Sequence, residues 1–415
     1  MSEYEVSLTT MTYGGEVLGR LPDGRAVFVP LALPGEKVRI RLTEDRKNFA
    51  RGMLLEVIEP SPLRITPRCL HFGYCGGCHY QHMPYEEQLK AKSEIVRDQL
   101  QRIGKLENIP ITAAVGSPKP FYYRNHVQFG LTEDGKLGYH RLYGDEIFPI
   151  QECHLPVEGI NIIWPQLEFE TLLEIERVAI RQGAGDDIMI TLESSDIDPP
   201  ELSLEELDVS VVHLSEAGAL VMAGSDNVDM EVLGREFRVS AGSFFQVNTE
   251  VAGRMVEHLL AGLDRLHPLT RDTTVLDLYC GAGLFSAFLA PRVGNLIGLE
   301  ESPAAVDDFV ENLDEFDHVS VYEGKVEHIL PLLNMQADII VVDPPRAGLT
   351  PAALDEILKI APRVLAYVSC DPSTLARDLR RLTAGGYRLE NVTPFDMFPQ
   401  TYHVECVALM SRIEK

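Results

Sequence analysis

The chain is poor in the features that mark several protein classes. No apolar run in its 415 residues approaches the ~18 needed to cross a bilayer. The opening Met-Ser-Glu-Tyr-Glu is acidic and lacks the basic and apolar regions of a secretory signal. These absences predict a cytoplasmic protein without a membrane partner; a monomer is the expected state. Cysteines number only seven, too sparse for a disulfide scaffold. An odd count in a reducing compartment points to metal ligation or catalysis. Bases are also scarce: 37 Lys and Arg oppose 63 Asp and Glu, a formal net charge of −26. At face value that argues against nucleic acid, because phosphate binding needs clustered Lys and Arg. The 45% hydrophobic fraction is ordinary and can build a core, so disorder is excluded.

The length predicts two or three domains at roughly 150 residues each. The charge is unevenly spread along them. Residues 1–130 hold 17 bases and 14 acids, Glu168–Glu236 holds 18 acids and three bases, and Phe237 onwards holds 25 acids and 15 bases. The middle segment reads as a solvated acidic face, which leaves the N-terminal third mildly basic. Short apolar runs at Glu5–Met11, Glu16–Leu18, Ala26–Val29, Lys37–Leu42 and Met53–Ile58 predict a small β-barrel over residues 1–60. Lys37, Arg39, Arg41, Arg46, Lys47 and Arg51 form a basic cluster on its fourth and fifth strands. After a proline-rich linker, residues 61–238 read as a β-rich central domain with one helix, Tyr85–Ile103. Its candidate strands are Tyr122–Leu131, Lys136–His140, Arg177–Gln182, Asp187–Glu193 and Val209–Leu214. From 239 to 415 helices and strands alternate. That pattern predicts an α/β domain with a doubly wound parallel sheet and a ligand crevice at the carboxyl ends of its strands.

The crevice has a recognisable first turn. Val275-Leu-Asp277-Leu-Tyr279-Cys-Gly281-Ala-Gly283 runs from an apolar strand through a glycine turn into a helix. Seventeen residues beyond Gly283, a second strand ends at Glu300, placed to accept from ribose hydroxyls. Position 286 is Ser where a dinucleotide fingerprint has its third glycine, so that pattern is only partly met. The spacing is similar to class I (Rossmann-like) methyltransferases, whose turn faces the methionyl part of S-adenosylmethionine. Two further strands end in reactive side chains. Asp338–Val342 runs into Asp343-Pro-Pro-Arg346, and Val364–Val368 runs into Ser369-Cys370-Asp371 at the start of a helix. The helix dipole there predicts a lowered thiol pKa. The final strand carries Glu405, a candidate base.

Together with Phe244-Phe245-Gln246-Val247-Asn248, these stretches resemble the RNA uracil-5-methyltransferase family, and the first sixty residues resemble a TRAM domain. The resemblance covers nearly the whole chain. It implies Cys370 as nucleophile, Glu405 as base, and Gln246, Asp277, Tyr279, Gly281, Gly283, Glu300 and Asp343 at the S-adenosylmethionine site. Carbon 5 of uracil is a weak nucleophile, so a thiolate must first add at carbon 6. Arg346, Arg377, Arg380 and Arg381 are placed to meet RNA phosphates, although the last three read equally as solvated helix charges. The target implied is a uridine in RNA, 23S ribosomal before transfer RNA. Two departures from the family pattern, Leu284 and Lys325, bear on the cofactor. They favour a different reading, an RNA-binding or chaperone homologue without activity; Cys370 and Glu405 oppose it. A third reading is methylation of another target through the Asp-Pro-Pro turn.

Cys69-x5-Cys75-Gly-Gly-Cys78, with Cys153 farther on, is a set of four thiols able to ligate zinc or a 4Fe–4S cluster. Spacing alone leans to zinc. The Cys-Gly-Gly-Cys-x2-Gln form is similar to the iron–sulfur members of the family and implies the cluster. Cys280 and Cys406 have no assigned role.

Overall fold

The computed structural model describes residues 2–169, 175–201 and 208–413. Residues 170–174 and 202–207 of the acidic stretch lie outside the described residues. Strands β1 (Glu3–Met11), β2 (Glu16–Arg20), β3 (Ala26–Pro30), β4 (Lys37–Asp45) and β5 (Phe49–Glu59) close into a barrel in the order β1-β2-β3-β5-β4. Alternate side chains point inward, so Val6, Leu8, Val17, Val27, Val29, Val38 and Ile40 fill it. The bases lie on the outward face, but they are not a free cationic surface. Lys37 and Arg39 reach Glu5, Arg41 reaches Glu3, Arg46 reaches Glu44, and Arg51 reaches Glu16 and Glu44. Each exposed pair contributes only about 0–1 kcal/mol, so a phosphate can compete for these bases.

The central region begins with α1 (Tyr85–Arg102). Its sheet contains β6 (His126–Leu131), β7 (Leu137–His140), β8 (Ile147–Pro149), β9 (Ile175–Gln182), β10 (Ile188–Ser194), β11 (Ser210–Ser215) and β12 (Gly218–Ala223), ordered β12-β11-β10-β9-β6-β7-β8. A short helix α2 (Glu158–Ile163) precedes β9. The strand expected from Tyr122 begins only at His126, because Tyr122 has a left-handed backbone (φ 54°) that interrupts extended pairing. β8, α2 and β12 were not legible, being three to six residues long with no period to read. The hairpin β13 (Asn227–Val232) and β14 (Arg235–Ser240) sends Met230, Val232, Phe237 and Val239 into the core of the C-terminal layer.

That layer runs α3 (Thr249–Leu266), β15 (Thr274–Leu278), α4 (Leu284–Leu289), β16 (Asn295–Glu300), α5 (Pro303–Asn312), β17 (Val319–Glu323), α6 (Val326–Leu333), β18 (Ile339–Val342), α7 (Pro351–Ile360), β19 (Val364–Ser369), α8 (Pro372–Ala384), β20 (Tyr387–Phe395) and β21 (Glu405–Arg412). The sheet order is β17-β16-β15-β18-β19-β21-β20. Six strands run one way, as expected of a doubly wound sheet. β21 is antiparallel to both neighbours, which corrects the all-parallel expectation. No crossover helix separates β20 from β21, and a parallel connection needs one. The reversal has a functional consequence: β21 starts at the sheet edge where β18 and β19 end.

Residues Ile111 and Val115 bridge to β20 and cover the open sheet edge. Helix α1 packs on α8, with Val96 and Leu100 in one core with Leu375, Ala376 and Leu379. The same helix carries Lys92, whose ammonium lies 2.5 Å from Asp396 and 3.1 Å from the carbonyl of Phe398, with both charged side chains fully buried. Removing one partner of such a pair leaves an uncompensated buried charge. Lys92→Met is therefore expected to cost ~3–5 kcal/mol in denaturant unfolding, most of which Lys92→Met/Asp396→Leu recovers.

Candidate active site

The crevice beyond the carboxyl ends of β15, β16, β18 and β19 collects most of the residues singled out from sequence. After β15 the backbone turns through left-handed conformations at Tyr279 (φ 62°), Gly281 (φ 54°) and Gly283 (φ 91°). A Cβ at Gly283 would come within 2.5 Å of Leu313, so only glycine fits there, whereas Gly281 faces open space. Glu300 closes the turn from β16. One of its oxygens accepts from Gly281 N–H at 2.9 Å and the other from Glu301 and Ser302 N–H, each at 2.8 Å. Asp277 is buried and accepts from the Ser286 hydroxyl at 2.6 Å, while its second oxygen has no partner among the described residues. Burial pushes Asp277 up to about 7. An open glycine turn, a fixed carboxylate and an unpartnered buried oxygen suit a polar ligand such as S-adenosylmethionine.

Gln246 is buried on the loop between β14 and α3. That loop is held from the central sheet: Arg181 donates to the carbonyls of Ser240 (3.0 Å) and Ser243 (2.7 Å), and the Asn125 amide to that of Gln246 (3.2 Å). Leu284 is buried in the core, which accounts for an apolar residue after the glycine turn. Lys325 caps α6 on the exposed rim and pairs with Glu301 at 3.7 Å.

Strand register brings Cys370 and Glu405 together. Ser369, the last residue of β19, pairs with Cys406 of β21, so Cys370, just past that strand, and Glu405 occupy the next opposed position. Asp343, one residue past β18, completes a cluster of acids around the thiol. Burial and the neighbouring Asp343 push Glu405 up to about 8, and burial with Asp277 and Glu300 pushes Asp343 up to about 7. Burial, then Glu405 and Asp343, raise the Cys370 thiol to about 12 against the opposing charge of Arg346. This corrects the expectation of a thiol acidified by the helix dipole. The Asp371 carboxylate caps α8, accepting from Ser373 N–H (2.8 Å) and Thr374 N–H (3.2 Å), so the helix end faces that anion. The resting side chain is a neutral thiol.

Of the arginines proposed for RNA, Arg377 donates to Asp378 and to the carbonyls of Ala347 and Leu349. Arg381 binds Asp355. Both brace the protein. Arg346 is exposed, with its guanidinium 3.3 Å from the ring of His403. Sequence reasoning missed Asp378, which accepts from Leu349 N–H and the Tyr367 hydroxyl and so fixes the Asp-Pro-Pro loop. It also missed Arg181, Asn125 and Tyr13. Their partners lie far off in sequence, and no local pattern marks them.

Cys69, Cys75, Cys78 and Cys153 all line one cavity of about 470 Å³. Burial raises all four thiols, Cys153 to about 12. Among the described residues, no group of three or more His, Cys, Asp or Glu is placed to hold a single metal ion. A bound cation would offset the burial penalty on the cysteine thiolates.

The pattern of the tRNA (uracil-5-)-methyltransferase family matches residues 195–322 and 324–413, and that of the TRAM domain matches residues 1–55. The chain belongs to this methyltransferase family. Among its relatives are an uncharacterized RNA methyltransferase of Streptomyces coelicolor, 35% identical across 100% of this chain and 93% of the relative, and one of Halalkalibacterium halodurans, 34% identical across 98% and 96%. This RNA methyltransferase shares its fold with the Pyrococcus abyssi tRNA (uracil-54, C5)-methyltransferase solved with S-adenosyl-L-homocysteine. The TM-score is 0.74 at 24% identity, over 98% of this chain and 100% of that one. No helix among the described residues is long and apolar enough to cross a membrane.

The raised pKa of Glu405 has a stability consequence. In the unfolded chain this group ionises near 4.5, whereas folded it holds its proton to about 8, so rising pH favours the unfolded state across that window. The melting temperature of Glu405→Gln is expected to fall less than that of the wild type between pH 5 and 8; parallel curves would refute the assignment.

Proposed function

We propose that this methyltransferase transfers a methyl group from S-adenosylmethionine to carbon 5 of a uridine in 23S ribosomal RNA, in the cytoplasm and as a monomer. The observation that carries the reading is the opposed placement of Cys370 and Glu405 beside the glycine turn. Gln246, Asp277, Tyr279, Gly281, Gly283, Glu300 and Asp343 would hold the cofactor, which supplies an electrophilic methyl group when bound. The chain's own residues do the rest. Cys370 gives its thiol proton to solvent as its sulfur bonds to uracil carbon 6, and the electron pair of the 5,6 double bond moves into the enolate of carbon 5 and the carbon-4 carbonyl, which makes carbon 5 nucleophilic. After methylation the Glu405 carboxylate takes the carbon-5 proton. The electron pair of that C–H bond forms the 5,6 double bond and the C–S bond breaks, returning a Cys370 thiolate. The base must leave its stack to reach so recessed a pair. Glu405 must first be ionised, so the rate should rise towards about pH 8.

A transfer RNA target is the second reading, favoured by the family's name and by the substrate named for the Pyrococcus abyssi enzyme. Mapping 5-methyluridine in ribosomal and transfer RNA from cells with and without the gene separates the two. The four cysteines are read as ligands of a 4Fe–4S cluster that orders the central region, with the methyl transfer independent of it. The cavity that the four cysteines line is where such a cluster would sit.

Fluorine at carbon 5 cannot leave as a proton does, so RNA containing 5-fluorouridine should trap the enzyme covalently in the presence of cofactor. Cys370→Ala should form no adduct; an undiminished adduct would remove Cys370 from the mechanism. Anaerobically purified protein should be brown and lose its colour in Cys69→Ser or Cys153→Ser. A colourless protein carrying one zinc would overturn the cluster.

A further inference from the structure

The turn between β1 and β2 leaves the barrel and reaches the start of α8. There the Tyr13 hydroxyl donates to Asp371 Oδ2 at 3.0 Å, across 358 residues of sequence. The other oxygen, Oδ1, is occupied by the amides of Ser373 and Thr374 and by the Ser373 hydroxyl. Tyr13 therefore supplies the donor that immobilises the second oxygen of the carboxylate. Its ring stands edge-on to Tyr402, with centroids 5.7 Å apart, and Tyr402 in turn lies 4.2 Å from His403 and 4.6 Å from His79. The turn is closely seated. A Cβ added at Gly15 would meet the His79 ring at 3.1 Å, in a backbone conformation (φ 82°) that favours glycine. One barrel turn thus touches the residue after Cys370 and, through Tyr402 and His403, the segment that leads into Glu405.

We propose that Tyr13 is a positioning residue for the Cys370 thiol, holding Asp371 and with it the backbone at the entry to α8, so that the nucleophile is correctly aimed only when the barrel is docked. The inference rests on the reading of Cys370 as nucleophile and deepens it. A carboxylate held through one oxygen can pivot, and Cys370 is its chain neighbour. A carboxylate held through both oxygens cannot pivot without breaking the tie to the barrel. The barrel then acts on catalysis as well as on RNA capture. Strain or displacement at the RNA-contacting barrel is transmitted to the thiol through one hydrogen bond and one ring contact.

The test uses the full-length wild type, Tyr13→Phe, Asp371→Asn and the double variant, with 5-fluorouridine-substituted 23S ribosomal and transfer RNA as probes. Tyr13→Phe keeps the ring against Tyr402 and removes only the hydroxyl. RNA affinity should stay within about twofold of the wild type, while the rate of covalent adduct formation falls at least about fivefold. The double variant should be no slower than Asp371→Asn alone, because both changes break one tie. An unchanged adduct rate in Tyr13→Phe, a loss explained wholly by weaker RNA binding, or a double variant slowed by the product of the two single effects would each overturn the inference. Absence of any adduct in the wild type would overturn the nucleophile reading, and this inference with it. A wild-type adduct with an unaffected Tyr13→Phe overturns this inference alone.

Discussion

The buried pair of Lys92 and Asp396 is the constraint from which the site's geometry follows. Neither charge has water to fall back on, so α1 and the connection between β20 and β21 must stay in register for each to be compensated. That connection then does several jobs. The carbonyl of Phe398 takes a second bond from Lys92. The carbonyl of Gln400 accepts from the amides of His79 and Tyr80, which ties the cysteine segment to the catalytic layer. Gln88, also on α1, grips the Gln400 side chain and amide. Five residues after Gln400 the chain enters β21 at Glu405. A charge pair distant from the reacting groups thereby sets where the carboxylate stands.

Around the thiol, electrostatics works against ionisation. Glu405, Asp343 and Asp371 surround Cys370, and Arg346 opposes them. This accounts for a resting thiol and a protonated Glu405 rather than a preformed ion pair between them. Protons held there avoid uncompensated buried charges, and a cationic sulfonium would lower the cost of ionising both groups. The same economy of charge holds on the barrel, where Lys37, Arg39, Arg41 and Arg51 are already paired with cross-strand carboxylates. A chain so acidic can engage RNA because those pairs are exposed and easily exchanged for phosphate, while the acidic middle segment lies elsewhere in the sequence.

Much of the architecture was legible beforehand. The barrel strands follow from period-two apolar alternation between glycine turns. The α/β layer follows from apolar strands ending in Asp277, Glu300 and Asp343. The reversal of β21 was not legible, because a strand's direction depends on the connection before it and not on its own residues. Nor were Tyr13, Arg181, Asn125 and Asp378. Each is an ordinary polar residue until tertiary contact gives it a partner dozens to hundreds of positions away. The thiol's acidity was misread for the same reason. The helix start was visible in the sequence, but the capping Asp371 and the facing acids from β18 and β21 act only once the sheet is assembled.

Local sequence by itself determined the residue types of the chemistry: a thiol after one strand, an acid before another, a glycine turn between a strand and a helix, and four cysteines. These are matters of identity and spacing, carried by short-range geometry. Tertiary structure alone decided their relations. It set Cys370 opposite Glu405 by reversing a strand, raised both proton affinities by burying them among acids, and gathered four thiols around one cavity. It also brought a barrel turn against Asp371. Distances and dielectric are properties of the packed whole, and no stretch of sequence contains them.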